Sequence, residues 1–271
     1  MNARIKEGLE KIQVVLGTLS YAKAFKNQIM VFKSGGSVIE DPEHEDDLLS
    51  DLAVLQILGI KPILVHGGGP EINKLSEERG IVTRKVNGLR YTDQPTLDVV
   101  QEVLKKINRR LVSKIYERGG RAWQLYGEDT FTAVKKKMLD ESGMPADLGL
   151  VGEPIRADIN QIEQMLGLNI IPIITPLGYF ECGQFCNMNA DEVAFFVAKT
   201  LKAAKLVFIS DVPGLLRVPG DENDEDSVIS TLWTDEVEGL IQEGVITGGM
   251  RPKIESAVEA INSGVGKGAF D

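Results

Sequence analysis

A chain of 271 residues with 43% apolar and 26% charged residues is long enough to bury a sizeable core as one large domain or two lobes. Its 30 Lys and Arg against 40 Asp and Glu give a formal charge of −10, which argues against nucleic acid or an anionic membrane as partner and requires any anionic ligand to be held by local groups. No run reaches the roughly 18 to 20 apolar residues of a membrane span, and the opening MNARIKEGLEKIQ is too polar for a signal peptide, so a cytoplasmic protein is expected.

Ile5, Leu9, Ile12 and Leu16 recur at helical spacing and predict an amphipathic helix over residues 5–18, ahead of a first strand QIMVFK. DDLLSDLAVLQILG predicts a helix closing at Gly59, and KPILVH a second, buried strand parallel to the first. That strand runs into the glycines and proline of LVHGGGPEIN, with a helix expected after Pro70. The turn VNGLRYTDQ leads to a long helix from Thr96 to about Arg118, closed by Gly119-Gly120. Shorter β-rich segments follow over 121–158, and GLNIIPIITP is another apolar strand.

From about residue 187 a second lobe is expected: NMNADEVAFFVAKTLKA as a helix, KLVFIS as a buried strand, DVPGLL as a turn and VPGDENDEDS as a solvated acidic loop. Two helices over about 233–243 and 250–263 complete it. The alternation of strands and helices predicts an α/β chain whose mostly parallel sheet is covered on both faces. Cys182 and Cys186, with only His44 and His66 to assist, are too few for a structural zinc and are read as free thiols.

Several polar features bear on chemistry. A strand followed by a Gly-rich turn and a helix start aims backbone N–H groups at one point, where the helix dipole favours an anion. FKSGGS repeats that arrangement after Lys33, a lysine that could equally just reach solvent. Lys253 follows Gly248-Gly249 and Pro252 at a helix start, where a cation opposes the dipole unless an anion lies between. In NMNAD, Asn189 and Asp191 fit a helix cap and first turn, which leaves Asn187 unexplained. Arg90 is either a surface residue or a two-pronged carboxylate grip. With no Ser–His–Asp set and no Walker A sequence, the group suits phosphoryl transfer better than hydrolysis.

The ordered segments FKSGGSVIE, KPILVHGGGPEIN, VNGLRYTD, DLGLVGEP, NMNADEVA, FISDVPGLL and GGMRPKIESA resemble N-acetylglutamate kinases of the amino acid kinase family over roughly residues 29–265. The resemblance implies a three-layer α/β/α sandwich with residues 26–186 as an N-terminal lobe for the acylated amino acid and dimerisation, and 187–271 as a C-terminal lobe for ATP. By position, it makes Lys33 and Lys253 the stabilisers of the transferring phosphoryl group and Asp191 their holder. It assigns Gly35, Gly36, Gly68 and Gly69 as backbone donors to phosphate and acceptor, and Arg90 and Asn187 as ligands of N-acetylglutamate. Ser210, Asp211, Gly214 and Leu215 fall in the nucleotide-lining stretch, with Mg²⁺ entering on the ATP.

The acceptor carboxylate is already ionised at neutral pH, so no general base is required. The family ordinarily continues past GVGKGAFD through another strand and helix, so the C-terminal lobe is expected to end early. Two alternatives stand beside this reading: a kinase of N-acetyl-aminoadipate, aspartate or carbamate, and a non-catalytic arginine- or nucleotide-binding module of the same fold. The resemblance further implies a homodimer, a hexamer built as a trimer of dimers through residues 1–25, and arginine as an allosteric inhibitor.

Overall fold

A computed structural model describes residues 17, 20–139, 143–210, 214–218, 227–247, 250–266 and 268–270. Ile5, Leu9, Ile12 and Leu16 of the expected first helix, with Asp211, Gly248 and Gly249, lie outside the described residues.

The strand β1 (Ile29–Ser34) is followed by the short helix α1 (Gly36–Glu40) and by α2 (Pro42–Ile57). Helix α2 begins earlier than its apolar pattern suggests, because Asp41 Oδ1 accepts from the N–H groups of Glu43 and His44 and Pro42 occupies the first turn. Next come β2 (Lys61–His66), α3 (Gly69–Glu78) and a hairpin, β3 (Lys85–Val86) with β4 (Leu89–Arg90). The expected turn is thus a hairpin, pivoting on Asn87 and Gly88 at φ 46° and 83°.

The long helix α4 (Gln94–Glu117), capped by Asp93 on the N–H of Thr96, leads to β5 (Ala122–Leu125), β6 (Phe131–Lys135) and β7 (Val151–Ala157). Helix α5 (Ile159–Gly167) was not expected; it is short, it buries Ile162 and Leu166, and its start is set by Asp158, which accepts from the N–H of Asn160. The chain continues through β8 (Ile171–Ile174), β9 (Leu177–Phe180), β10 (Phe185–Met188), α6 (Ala190–Thr200) and β11 (Lys205–Ile209). Helices α7 (Val237–Gln242) and α8 (Met250–Asn262) precede a last strand, β12 (Gly268–Phe270), which the sequence reading did not contain.

Six strands form one parallel sheet in the order β12-β11-β1-β2-β8-β5, and β6, β7, β9 and β10 close into a small barrel beside it. Alternation along the strands sorts side chains between two cores. Met30, Phe32, Leu64, Ile173 and Val207 pack under α2, α3 and α4, whereas Val31, Ile63, Val65, Leu206 and Phe208 pack under α6 and α8. The result is the expected three-layer α/β/α sandwich. Among the described residues no helix is long and apolar enough to cross a membrane.

Candidate active site

The central strand β1 has β2 on one side and β11 on the other, so the chain leaves its carboxyl end in two directions and opens a crevice there. Both Gly turns sit at that crevice and brace one another. The N–H of Gly67 donates to Ser34 O at 3.0 Å and the N–H of Gly35 to Ile209 O at 3.3 Å. A Cβ on Gly36 would lie 2.6 Å from Pro70 Cδ, and one on Gly68 would lie 2.8 Å from Ile107 Cδ1 of α4. These glycines therefore serve close packing as well as any ligand, whereas a Cβ on Gly69 would meet open space. Among the described residues the N–H groups of Gly36, Gly68 and Gly69 meet no acceptor.

Parity along β1 decides where Lys33 goes. It shares a face with Val31, toward α6, and its ammonium is buried with only 8% of the residue exposed. Its Nζ lies 2.8 Å from Asp191 Oδ1, close enough for an ion pair but not aligned as a hydrogen bond. Asp191 stands in the first turn of α6, where the dipole favours a carboxylate. Asn189 fixes that turn by accepting from the N–H of Asp191 at 2.7 Å and of Glu192 at 3.3 Å.

Lys253 reaches the same end of the molecule by topology. Helices α6 and α8 each feed a strand parallel to β1, so both run antiparallel to the sheet and begin at its carboxyl edge. Lys253 is one turn ahead of Ala257 and two ahead of Ala260, which pack in the core shared with α6, so it lies on the α8 face turned toward that helix.

On the opposite side of the Gly loop, the hairpin holds Arg90 over the start of α3. Its Nη2 donates to Asn73 Oδ1 at 2.6 Å and to Gly69 O at 3.3 Å, while Nη1 is buried without a partner. Burial pushes the Arg90 guanidinium below its ordinary range, a cost an anion would offset. Asn187, presented by β10, donates to Thr92 Oγ1 at 3.2 Å, and Thr92 in turn donates to Arg90 O at 3.0 Å. Arg90 and Asn187 are thus joined through the fully buried Thr92. Asn73 and Thr92 were missed because an asparagine inside a helix and a threonine before one carry no pattern of their own.

Ser210 follows β11 beside the first Gly turn and is half-buried. Gly214 takes φ 129°, and Leu215 is buried with Val237, Ile246 and Ile254 in a small core of its own, so its side chain packs rather than faces the crevice. Glu192 pairs with Lys136 Nζ at 3.1 Å; burial pushes its carboxyl up, and the ammonium beside it opposes that rise. Lys136 also was missed in the sequence, as the middle of a run of three lysines.

Residues 28–268 match the amino acid kinase family. The chain is 40% identical over 264 residues to the acetylglutamate kinase of Syntrophomonas wolfei, covering 97% of this chain and 90% of that one. It is 38% identical over 268 residues to the acetylglutamate kinase of Heliobacterium modesticaldum, covering 96% and 90%. A solved protein of Streptococcus mutans UA159 superimposes with a TM-score of 0.75 at 33% identity, covering 89% of this chain and 94% of that one. With its parallel sandwich, paired Gly turns and this span of similarity, the chain belongs to the amino acid kinase family.

Proposed function

We propose that this protein transfers the γ-phosphoryl group of ATP to the side-chain carboxylate of N-acetyl-L-glutamate, a step of arginine biosynthesis. The observation that carries the reading is the ion pair of buried Lys33 with Asp191 at 2.8 Å, beside Gly turns in which the N–H groups of Gly36, Gly68 and Gly69 are unengaged. The acetylglutamate kinases to which the chain is similar supply the substrate, and the unpartnered Nη1 of Arg90 suits the α-carboxylate of such an acceptor.

In the reaction a carboxylate oxygen of the acceptor forms a bond to the γ-phosphorus while the bond from that phosphorus to the β–γ bridging oxygen breaks, and ADP leaves with the electron pair. No proton has to be removed, which agrees with a site built of cations and backbone donors. Lys33 and Lys253 offset charge on the moving group, Asp191 orients them, and the N–H groups of Gly36, Gly68 and Gly69 face phosphate and acceptor oxygens. Gly35, Ser210, Asp211, Gly214 and Leu215 belong to the nucleotide side, Leu215 through its backbone. Mg²⁺ is carried on the phosphates of ATP, where it neutralises charge.

We assign residues 26–186 to the acceptor lobe and 187–271 to the ATP lobe of a cytoplasmic homodimer, with residues 1–25 joining dimers into a hexamer and arginine as its inhibitor. ADP release measured with N-acetyl-L-glutamate, N-acetyl-aminoadipate, aspartate and carbamate tests the substrate assignment. Turnover highest with N-acetyl-L-glutamate is expected; no ADP release with it, or preference for another acceptor, refutes the assignment.

A further inference from the structure

His66 closes β2 immediately before the Gly turn, is fully buried, and takes no part in the chemistry above. Its surroundings leave it one protonation pattern. Asn108 of α4, also fully buried, places Nδ2 2.7 Å from Ile173 O. A carbonyl only accepts, so that atom is the NH2 nitrogen and the amide orientation is decided. The same nitrogen lies 3.2 Å from His66 Nε2, which is therefore the lone-pair acceptor. The ring proton resides on Nδ1, 2.9 Å from Gly67 O, and donates to it. Burial pushes the imidazole pKa down to about 4, in keeping with a ring whose second nitrogen faces a donor.

The peptide between Gly67 and Gly68 is planar and trans, so its C=O and N–H point in opposite directions. Holding Gly67 O against the ring under α4 turns the N–H of Gly68 away from that ring, and among the described residues this N–H has no acceptor. Two glycines in succession have no side chains to restrain this peptide, and rotation of the plane would move the donor. We propose that His66, set by Asn108 and Ile173, is a positioning residue that locks the Gly67–Gly68 peptide so that the N–H of Gly68 is aimed at the acceptor or the transferring phosphoryl group. This deepens the proposed phosphoryl transfer and rests on that reading for the ligand.

The test begins with ¹⁵N-histidine-labelled wild-type protein free of substrate, whose ring nitrogen shifts are expected to show His66 protonated at Nδ1 alone near neutral pH. Kinetics follow with His66→Leu, which removes the donor, and His66→Asn, whose amide nitrogen can occupy the place of Nδ1. His66→Leu is expected to lower kcat about 10- to 100-fold, the range typical of supporting residues behind a reactive group. Its KM for MgATP is expected to stay within about twofold, and His66→Asn to recover most of the lost kcat. If His66→Leu does not fold, Asn108→Leu replaces it, with a fall in kcat again expected because the tautomer is no longer specified. An Nε2-protonated ring, full kcat in the variant lacking the donor or its guide, or equal losses in the Leu and Asn variants of His66 would each overturn the proposal. Wild-type protein that has the Nδ1 tautomer but releases no ADP with N-acetyl-L-glutamate would support the relay and overturn the functional reading instead.

Discussion

The Lys33 ammonium lies 2.8 Å from the Asp191 carboxylate and so ties the end of β1 to the first turn of α6. A buried ammonium needs a counter-charge, and the positive end of the helix dipole favours a carboxylate at this position. Lys33→Ala and Lys253→Ala are each expected to lower kcat about 10²- to 10³-fold, the usual cost of losing one preorganised electrostatic donor. Steady-state ADP release on variants with wild-type circular dichroism checks this, and near-full turnover in both would remove the phosphoryl-transfer role.

Arg90 is held by Asn73 at 2.6 Å with its Nη1 buried and unengaged. Arg90→Ala is expected to raise KM for N-acetyl-L-glutamate about tenfold or more while KM for ATP stays nearly constant. Arg90→Lys should recover little, because an ammonium lacks the two-pronged fork. A parallel rise in both constants would point to a role in closing the site.

His66 also makes stability depend on pH. Its folded pKa of about 4 lies below the ordinary 6.5, so the unfolded chain takes up a proton in this window and the folded chain does not. The contribution of the neutral ring is therefore complete above pH 6.5 and is lost as pH falls toward 4. Glu192, whose carboxyl burial pushes up, works in the opposite sense. Comparing urea midpoints of wild type and His66→Asn across this window isolates the imidazole: the wild type should lose more stability on acidification, and equal losses would contradict a depressed pKa.

Glu45 is 2% exposed and bridges Arg110 Nη2 at 3.0 Å and Lys114 Nζ at 2.5 Å, joining α2 to α4. Glu45→Ala is expected to cost about 1–3 kcal/mol in urea unfolding, because the two cations keep Glu71 and Asp46 and can reach water.

At helical spacing, Ile5, Leu9, Ile12 and Leu16 would form an apolar stripe that needs a surface to pack on. Deleting residues 1–25 is expected to reduce a hexamer to a dimer in multi-angle light scattering. An unchanged mass would end the proposal that this segment joins dimers.

Much of this protein is written in local pattern. The runs QIMVFK, KPILVH and KLVFIS are apolar enough to be buried on both faces, which marks them as central parallel strands, and the Gly turns with Pro70 mark where strands pass into helices. Asn189 was legible as a cap for the same reason: capping joins atoms two or three residues apart. Contacts between distant segments were not legible. Arg90 against Asn73, Asn187 against Thr92, and His66 against Asn108 join side chains whose meeting depends on strand order and on how α4 lies across the sheet. Lys33 shows the division most plainly. The sequence by itself determined that a lysine ends an apolar strand beside a Gly turn; only the tertiary structure decided that it stays buried, because parity along β1 turns it toward α6, where Asp191 supplies the charge that makes its burial tolerable.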